Sequence, residues 1–382
     1  MTTHSLTRRG FLSGTAALLG AGPLLLGAEE APSLIVREKE PQNLEFPFAQ
    51  LKDFYTPNEL FYVRNHFAAP KLDVKTWRLQ VAGAVERPLE LSYDEVLKLD
   101  AATVPVTLEC AGNGRAFLDP KAKGVQWQLG AVGTAKWTGV ALSTILELAR
   151  VKKGAVDVVL EGADRGELKG DIRPAALPQP FVRGMPLAKA MKPEVLLAYK
   201  MNGATLPAAH GYPLRGIVGG WYGMASVKWL SRVVVTDRPF NGFDQTIDYS
   251  IWEKHDGLSS MTPITGIDVK ASIARPTAGQ ELAAGKEHRV FGAAWAGESV
   301  VSKVDVSSDG GKTWTAARFL GDEPEPFCWR LWEFPWKPAA GKHTLMARAT
   351  DKSGRVQPMN RDPVRRNYMI SHVQPVEVTV KG

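Results

Sequence analysis

One thiol stands out among the side chains that can do chemistry. Cys110 ends an alternating, β-branched run in residues 106–115, VTLECAGNGR, and is followed at once by residues that favour tight turns. We therefore expect Cys110 at a strand end, facing a cleft. A thiol placed there can ligate a metal, act as a nucleophile or sense redox state, and Arg115 favours its thiolate form. The alternative is a buried structural thiol, because free cysteines commonly pack as small hydrophobic groups.

The eight residues LECAGNGR, 108–115, resemble the molybdenum-ligand motif of the sulfite oxidase family. In that family a cysteine thiolate binds the metal of a molybdopterin cofactor, so the resemblance implies that Cys110 ligates molybdenum. Other segments between residues 62 and 228 resemble family motifs in the same order, and a resembling C-terminal domain follows them. A series of motifs in one order is a far more specific match than the thiol motif alone.

The resemblance also implies roles for residues outside the thiol motif. Arg64 and Arg115 are expected to hold an oxyanion substrate, because a planar guanidinium binds such groups better than a lysine does. Tyr199 is expected to hydrogen-bond the oxyanion or to gate proton movement, and Trp127 to form part of the catalytic pocket. The cofactor-binding residues that the match implies are Tyr62, Val63, Arg64, Asn65, His66, Cys110, Asp164, His210, Arg215, Ser226, Val227 and Lys228.

Some features depart from the family pattern. Gly114 stands where many members have the first of two consecutive arginines, and Ser226 stands where animal members have histidine. No b-type haem domain precedes the molybdenum domain, and no CxxCH motif supports covalently attached haem. We therefore expect no haem in this chain and an external electron acceptor, a c-type cytochrome.

The elements that must position these residues change character near residue 262. Before it, short strands and short helices alternate without a regular βαβ order, and Ser92 begins a capping-box sequence. After it, strands and turns follow at the intervals typical of an immunoglobulin-like β-sandwich. This pattern predicts an α+β fold that ends in an immunoglobulin-like domain. The resemblance implies that residues 59–261 are a molybdopterin-binding catalytic domain and that the immunoglobulin-like residues 262–382 are a dimerisation domain. A homodimer is the expected assembly.

The C-terminal part is rich in tryptophan. It contains Trp295, Trp314, Trp329, Trp332 and Trp336. Because so many large aromatic side chains exceed what one small sandwich needs for its core, we expect a partner to cover part of its surface.

The composition is that of an ordinary globular chain of 382 residues, with a formal charge of +7. Basic residues form no cluster, so the sequence argues against nucleic-acid binding, while the modest positive excess suits a small anion such as sulfite or an acidic partner. The two cysteines, Cys110 and Cys328, lie far apart, and no disulfide is expected between them.

Residues 1–28 have the features of an export signal. Arg8 and Arg9 form a twin-arginine pattern, an apolar run occupies residues 16–26, and Ala28 offers a cleavage site. We expect recognition by the twin-arginine export machinery, a periplasmic location and no membrane span in the mature chain. A retained N-terminal anchor is the alternative. Residues 29–58, which are rich in proline and charge, are expected to form a wrapping lead-in.

The resemblance as a whole implies an enzyme that oxidises sulfite to sulfate. A sulfane dehydrogenase that acts on a persulfide bound to a carrier protein is the alternative within the same class. A cofactor-free, secreted β-sandwich protein that binds a partner through its tryptophan-rich face is the alternative from a different class.

Overall fold

A computed structural model describes residues 33–168, 178–321 and 324–382 of the chain. The predicted export signal, residues 1–28, lies outside these described residues. Within them, no helix is both long and apolar enough to cross a membrane.

The α-helices are few and short in the described residues. They are α1 (Tyr93–Leu97), α2 (Leu142–Ala149) and α3 (Leu187–Ala190). The predicted capping box begins α1: the Glu95 N–H donates to Ser92 Oγ, and the Glu95 carboxylate accepts the Ser92 N–H. Strands dominate the fold, so the predicted α+β class holds only loosely.

Strands β1 to β14 form the N-terminal two thirds of the described chain. Their bounds are β1 (Ile35–Glu38), β2 (Asn43–Glu45), β3 (Arg78–Gly83), β4 (Leu89–Ser92), β5 (Ala101–Glu109), β6 (Val132–Ala141), β7 (Asp157–Gly166), β8 (Gln179–Pro186), β9 (Val195–Met201), β10 (Ala204–Thr205), β11 (Arg215–Val218), β12 (Leu230–Thr236), β13 (Ser250–His255) and β14 (Leu258–Pro263).

Two sheets form most of this part, and the first of them, which is antiparallel, positions the thiol. One has the strand order β10-β9-β6-β5 with β11 also paired to β9, and the other has the order β4-β3-β12-β7-β8. Strands β5 and β6 run antiparallel from Ala101↔Val140 to Glu109↔Val132, so β5 ends immediately before Cys110. The sheet edge therefore delivers the thiol at a strand end, as the alternating sequence predicts.

Nine further strands follow. They are β15 (Lys270–Arg275), β16 (Glu281–Ala283), β17 (His288–Trp295), β18 (Val301–Ser307), β19 (Thr315–Ala316), β20 (Arg318–Phe319), β21 (Arg330–Trp336), β22 (Gly341–Asp351) and β23 (Val376–Lys381). They form two sheets, β15-β17-β21-β20 and β16-β23-β22-β18-β19. Apolar side chains of both sheets share one core, which makes this part a two-layered β structure.

The tryptophans of the C-terminal part are largely buried inside the chain itself. Trp295, Trp329 and Trp332 are at most 1% exposed. The Trp329 indole donates to Phe54 O, and the Trp295 indole donates to Glu109, so both rings pack against the N-terminal part. The junction with the rest of the chain therefore accounts for these three rings, and the expectation that a partner covers part of this surface stays a prediction.

Candidate active site

The turn after β5 holds Cys110 at the edge of a pocket. The Cys110 N–H donates to Ala131 O over 2.9 Å, and the Asn113 N–H donates to Cys110 O over 2.8 Å. Gly114 has a φ of 100°, which lets the chain turn where an L-residue would be strained. The thiol is free and only 7% exposed.

The pocket combines aromatic, cationic and thiol side chains. Most residues that the sequence implicates in cofactor binding lie here together, although they come from five separate stretches of chain. The lining residues are Phe61, Tyr62, Arg64, Asn65, His66, Leu108, Cys110, Ala111, Asp164, Phe181, Arg215, Gly223, Met224, Ser226, Val227, Lys228, Trp229 and Tyr249.

Positive charge dominates this pocket. Arg64, Arg215 and Lys228 line it, while Asp164 supplies the only carboxyl group among its described lining residues. Burial lowers the pKa of Arg215 to about 10, and burial together with Arg215 lowers the pKa of Lys228 well below its usual range. Cations held under such desolvation are stabilised by an anion that enters among them.

Backbone carbonyls orient two of these cations. The Arg215 guanidinium donates to His210 O over 2.9 Å and to Ser226 O over 3.0 Å. The Lys228 ammonium donates to Ala209 O over 2.9 Å and to the side chain of Asn65. Both charged groups are therefore fixed before any ligand enters.

Burial shifts the titration of both Asp164 and His66 toward their uncharged forms. Burial raises the pKa of Asp164 to about 6, although Lys228 acts in the opposite direction. Burial and then Arg64 lower the pKa of His66 well below its usual range. His66 stacks on Phe181 with ring centroids 4.0 Å apart, and it shares a 2.6 Å hydrogen bond with the Tyr249 hydroxyl.

The tyrosine that faces the pocket beside Arg64 and His66 is Tyr249, and the sequence argument missed it. The motif match pointed to Tyr199, but Tyr199 is not among the lining residues. Strand alternation explains the correction: Leu197 and Tyr199 face one apolar core, whereas Leu196 and Ala198 face the core that contains Cys110. Tyr249 follows a one-turn π-helix, Asp244–Asp248, whose presence the sequence did not signal.

Arg115 is also placed differently from its expected position. Its guanidinium donates to Val125 O over 2.9 Å and to Asn367 O over 3.0 Å, and it lies 5.2 Å from the Tyr368 ring centroid. It does not line the pocket. Because it donates to backbone carbonyls on two sides, Arg115 ties the thiol turn to the C-terminal segment. Of the two arginines expected to hold the substrate, only Arg64 lines the cavity.

Three other implicated residues support the pocket from behind. Trp127 is fully buried and meets Tyr62 edge-on, with ring centroids 6.5 Å apart. The His210 ring contacts Asn58 O over 3.1 Å, while its carbonyl accepts from Arg215. Val63 pairs with Leu44 through two 2.9 Å backbone hydrogen bonds, so its contribution comes from the backbone.

The donor set fits a molybdopterin cofactor. A thiol is a soft ligand of the kind that binds such a metal, and it opens into the same cavity as the buried Arg215 and the half-buried Arg64 and Lys228, which are cations suited to a phosphate and to a small oxyanion. The aromatic rings of Phe61, Tyr62 and Phe181 provide flat apolar walls in that cavity. Within the described residues, no three His, Cys, Asp or Glu side chains cluster as a metal site of their own.

Comparison with known proteins places two family models on the chain. Residues 66–244 match an oxidoreductase molybdopterin-binding domain, and residues 261–370 match a Mo-co oxidoreductase dimerisation domain. The chain is similar to mitochondrial sulfite oxidase of Homo sapiens, with 37% identity over 356 residues, covering 87% of this chain and 63% of the human protein. It therefore spans less than two thirds of that relative.

Two further proteins match over most of their lengths. Sulfite oxidase of Arabidopsis thaliana is 32% identical and is covered to 90%, against 87% of this chain. The crystal structure of the sulfane dehydrogenase SoxCD from Paracoccus pantotrophus superimposes with a TM-score of 0.80 at 28% identity, covering 96% of this chain and 94% of that one.

Proposed function

The chain belongs to the sulfite oxidase family of molybdopterin-dependent oxidoreductases, and we propose on that premise that it oxidises sulfite to sulfate. The single observation that best supports this proposal is the cavity that joins the Cys110 thiol to Arg64, Arg215 and Lys228. A soft metal ligand and a cationic anion site in one cavity are what this reaction requires.

The proposed reaction converts sulfite and water into sulfate, two protons and two electrons. When bound, the molybdenum–molybdopterin cofactor supplies the two-electron redox chemistry and the transfer of an oxygen atom to sulfur. Cys110 would ligate the metal, while Asn65, Arg215, Ser226 and Lys228 would hold the pterin and its phosphate.

Arg64 is the residue proposed to hold sulfite. It lines this cavity and also a second, more open cavity, and its hydrogen bond in the structure goes to the neighbouring Asn65 O. The Tyr249–His66 pair lies beside it and is uncharged, because burial raises the pKa of Tyr249 and lowers that of His66. The pair can therefore donate a hydrogen bond to the oxyanion without adding negative charge.

We place the enzyme in the periplasm, exported by the twin-arginine route, with an external c-type cytochrome as electron acceptor. The proposed catalytic domain spans residues 59–261, and the two-layered C-terminal part, residues 262–382, is proposed to be an immunoglobulin-like dimerisation domain. The match of residues 261–370 to a Mo-co dimerisation domain supports a homodimer.

A second candidate function is the oxidation of a carrier-bound persulfide. It is favoured by the structural similarity to a sulfane dehydrogenase over almost the full length of both chains. A carrier arm needs a wider entrance than free sulfite does. The second, more open cavity shares Arg64 and His66 with the thiol cavity and is also lined by Lys123, Phe243 and Asp248, and it would be that entrance.

Steady-state turnover separates these candidates. Protein purified from a host that makes molybdopterin is assayed with free sulfite and, separately, with a persulfide-loaded carrier protein, using cytochrome c as acceptor and then oxygen. The proposal predicts higher kcat/KM for sulfite, with electrons accepted by cytochrome c. A preference for the carrier substrate would favour the sulfane dehydrogenase, and an absence of molybdenum would favour a binding protein.

A further inference from the structure

A buried ion pair lies directly behind Cys110 and joins the two parts of the chain. Glu109 Oε1 accepts from Lys270 Nζ over 2.9 Å and from the Asn113 side chain over 3.1 Å, while Oε2 accepts from the Trp295 indole over 2.8 Å. The side chains of Glu109 and Lys270 are 2% and 3% exposed. Lys270 on β15 and Trp295 on β17 face each other in register.

The same lysine reaches the thiol turn. Lys270 Nζ donates to Asn113 O over 3.2 Å, and Asn113 in turn donates its N–H to Cys110 O over 2.8 Å. The Asn113 side-chain oxygen accepts the Ala131 N–H over 3.1 Å, and Ala131 O accepts the Cys110 N–H over 2.9 Å. The backbone on both sides of the thiol is therefore held by one connected network.

We propose that Lys270 and Trp295 are positioning residues that act through Glu109 to aim the Cys110 thiol into the cavity. Residues on the C-terminal β-sheet would thus set the geometry of the proposed metal ligand, in addition to any part in assembly. This inference rests on the proposed role of Cys110 as a ligand. Groups that orient a metal ligand typically change metal affinity or activity by about 10–100-fold when they are removed.

Three variants test this role. Lys270→Met removes the cation, and Trp295→Phe removes only one hydrogen-bond donor while keeping an aromatic ring. The matched control is Lys189→Met, because Lys189 is also buried, and its ammonium binds Glu194, Glu298 and Gly219 O away from the thiol turn. The control removes a comparable buried charge.

The first readout uses loaded enzyme. We expect Lys270→Met to lower kcat about tenfold with an unchanged KM for sulfite, and to alter the electron paramagnetic resonance signal of molybdenum after partial reduction. Trp295→Phe should change both in the same direction by a smaller factor. Lys189→Met should lower the melting temperature without altering kcat or the signal. If the control matches Lys270→Met, or if Lys270→Met and Trp295→Phe behave like wild type, the inference is wrong.

The second readout does not need sulfite turnover. In full-length protein made without cofactor, the iodoacetamide alkylation rates of Cys110 and Cys328 are measured separately by mass spectrometry. The inference predicts that Lys270→Met and Trp295→Phe change the rate at Cys110 and leave Cys328 as in wild type. Unchanged alkylation rates at Cys110 in both variants overturn the inference. If the rates at Cys110 change but the loaded wild-type protein does not oxidise sulfite, the positioning role of Lys270 and Trp295 is upheld and only the proposed function is refuted.

Discussion

At the scale of single residues, the pocket is defined by cations that the chain itself leaves uncompensated. Arg215 and Lys228 are oriented by neutral backbone carbonyls, and the one carboxyl group beside them, Asp164, is shifted toward its protonated form by burial. An anionic ligand therefore offsets a desolvation cost that the folded protein already bears.

The structure separates the two arginines that the sequence treats alike. Arg64→Met should raise the KM for sulfite about tenfold or more, because a charge-assisted hydrogen bond contributes roughly 1.5–3 kcal/mol. Arg115→Met should leave that KM unchanged and lower the free energy of unfolding by about 2 kcal/mol, because it deprives Val125 O and Asn367 O of their donor. Steady-state kinetics and denaturant unfolding check both. An equal rise in KM for Arg115→Met would return Arg115 to the substrate pocket.

His210 predicts a specific acid sensitivity. Burial, with Arg215 and Lys228 nearby, lowers its pKa from 6.5 to about 3. As the pH falls below 6.5, His210 gains a proton in the unfolded chain but not in the folded chain. Its contribution to the free energy of unfolding is therefore fully present above pH 6.5 and is lost as the pH falls toward 3. When the pH is lowered from 7.5 to 4.5, the free energy of unfolding should fall by about 3 kcal/mol less in His210→Gln than in wild type, since a pKa difference contributes roughly 1.4 kcal/mol per pH unit. Denaturant titrations at the two pH values measure this difference. Equal losses in both proteins would contradict this.

At the scale of elements, a short turn forms the wall opposite the thiol strand. The 3₁₀ turn Gly223–Ala225 brings Gly223 so close that a Cβ there would lie 2.7 Å from Tyr62 Oη and 3.3 Å from Glu109 O. We expect Gly223→Ala to push Tyr62 into the cavity, lower the molybdenum content per chain and cost about 1–3 kcal/mol of stability. Metal analysis and thermal unfolding measure both effects.

Gly266→Ala is the matched control for this change, because nothing lies within 4 Å of a Cβ at Gly266. It should retain both molybdenum and stability. If Gly223→Ala binds as much molybdenum as this control, the turn does not shape the cofactor site.

Sequence reasoning succeeded where a residue's position follows from local pattern. The alternation before Cys110 and the capping box at Ser92 each predicted the observed element. It failed where the direction of a side chain depends on strand register or on contacts with residues distant in the sequence. Tyr199 is matched by motif but its strand aims it at the other core, and Tyr249 enters the pocket from a turn with no recognisable pattern. Arg115 is likewise satisfied by a carbonyl 252 residues away in the chain.

At the scale of the whole molecule, the described C-terminal sheets bury most of their tryptophans against the same chain, so those buried rings do not themselves indicate an assembly surface. The proposed homodimer predicts a solution mass close to twice the 41.7 kDa of the chain, because most homodimers are closed, two-fold assemblies. Light scattering after size-exclusion chromatography gives this mass directly. A monomer at micromolar concentration would rule out a stable homodimer.

The Cys110 thiol is proposed to ligate molybdenum in this cavity. The most direct test of this ligation is the molybdenum content of wild type and Cys110→Ser, purified from a host that makes molybdopterin, with the resonance signal of the metal recorded after partial reduction by sulfite. We predict about one molybdenum per wild-type chain and a sulfite-induced signal, and for Cys110→Ser a preserved fold with that signal altered and sulfite oxidation lost. A Cys110→Ser protein with wild-type signal and turnover would contradict the claim.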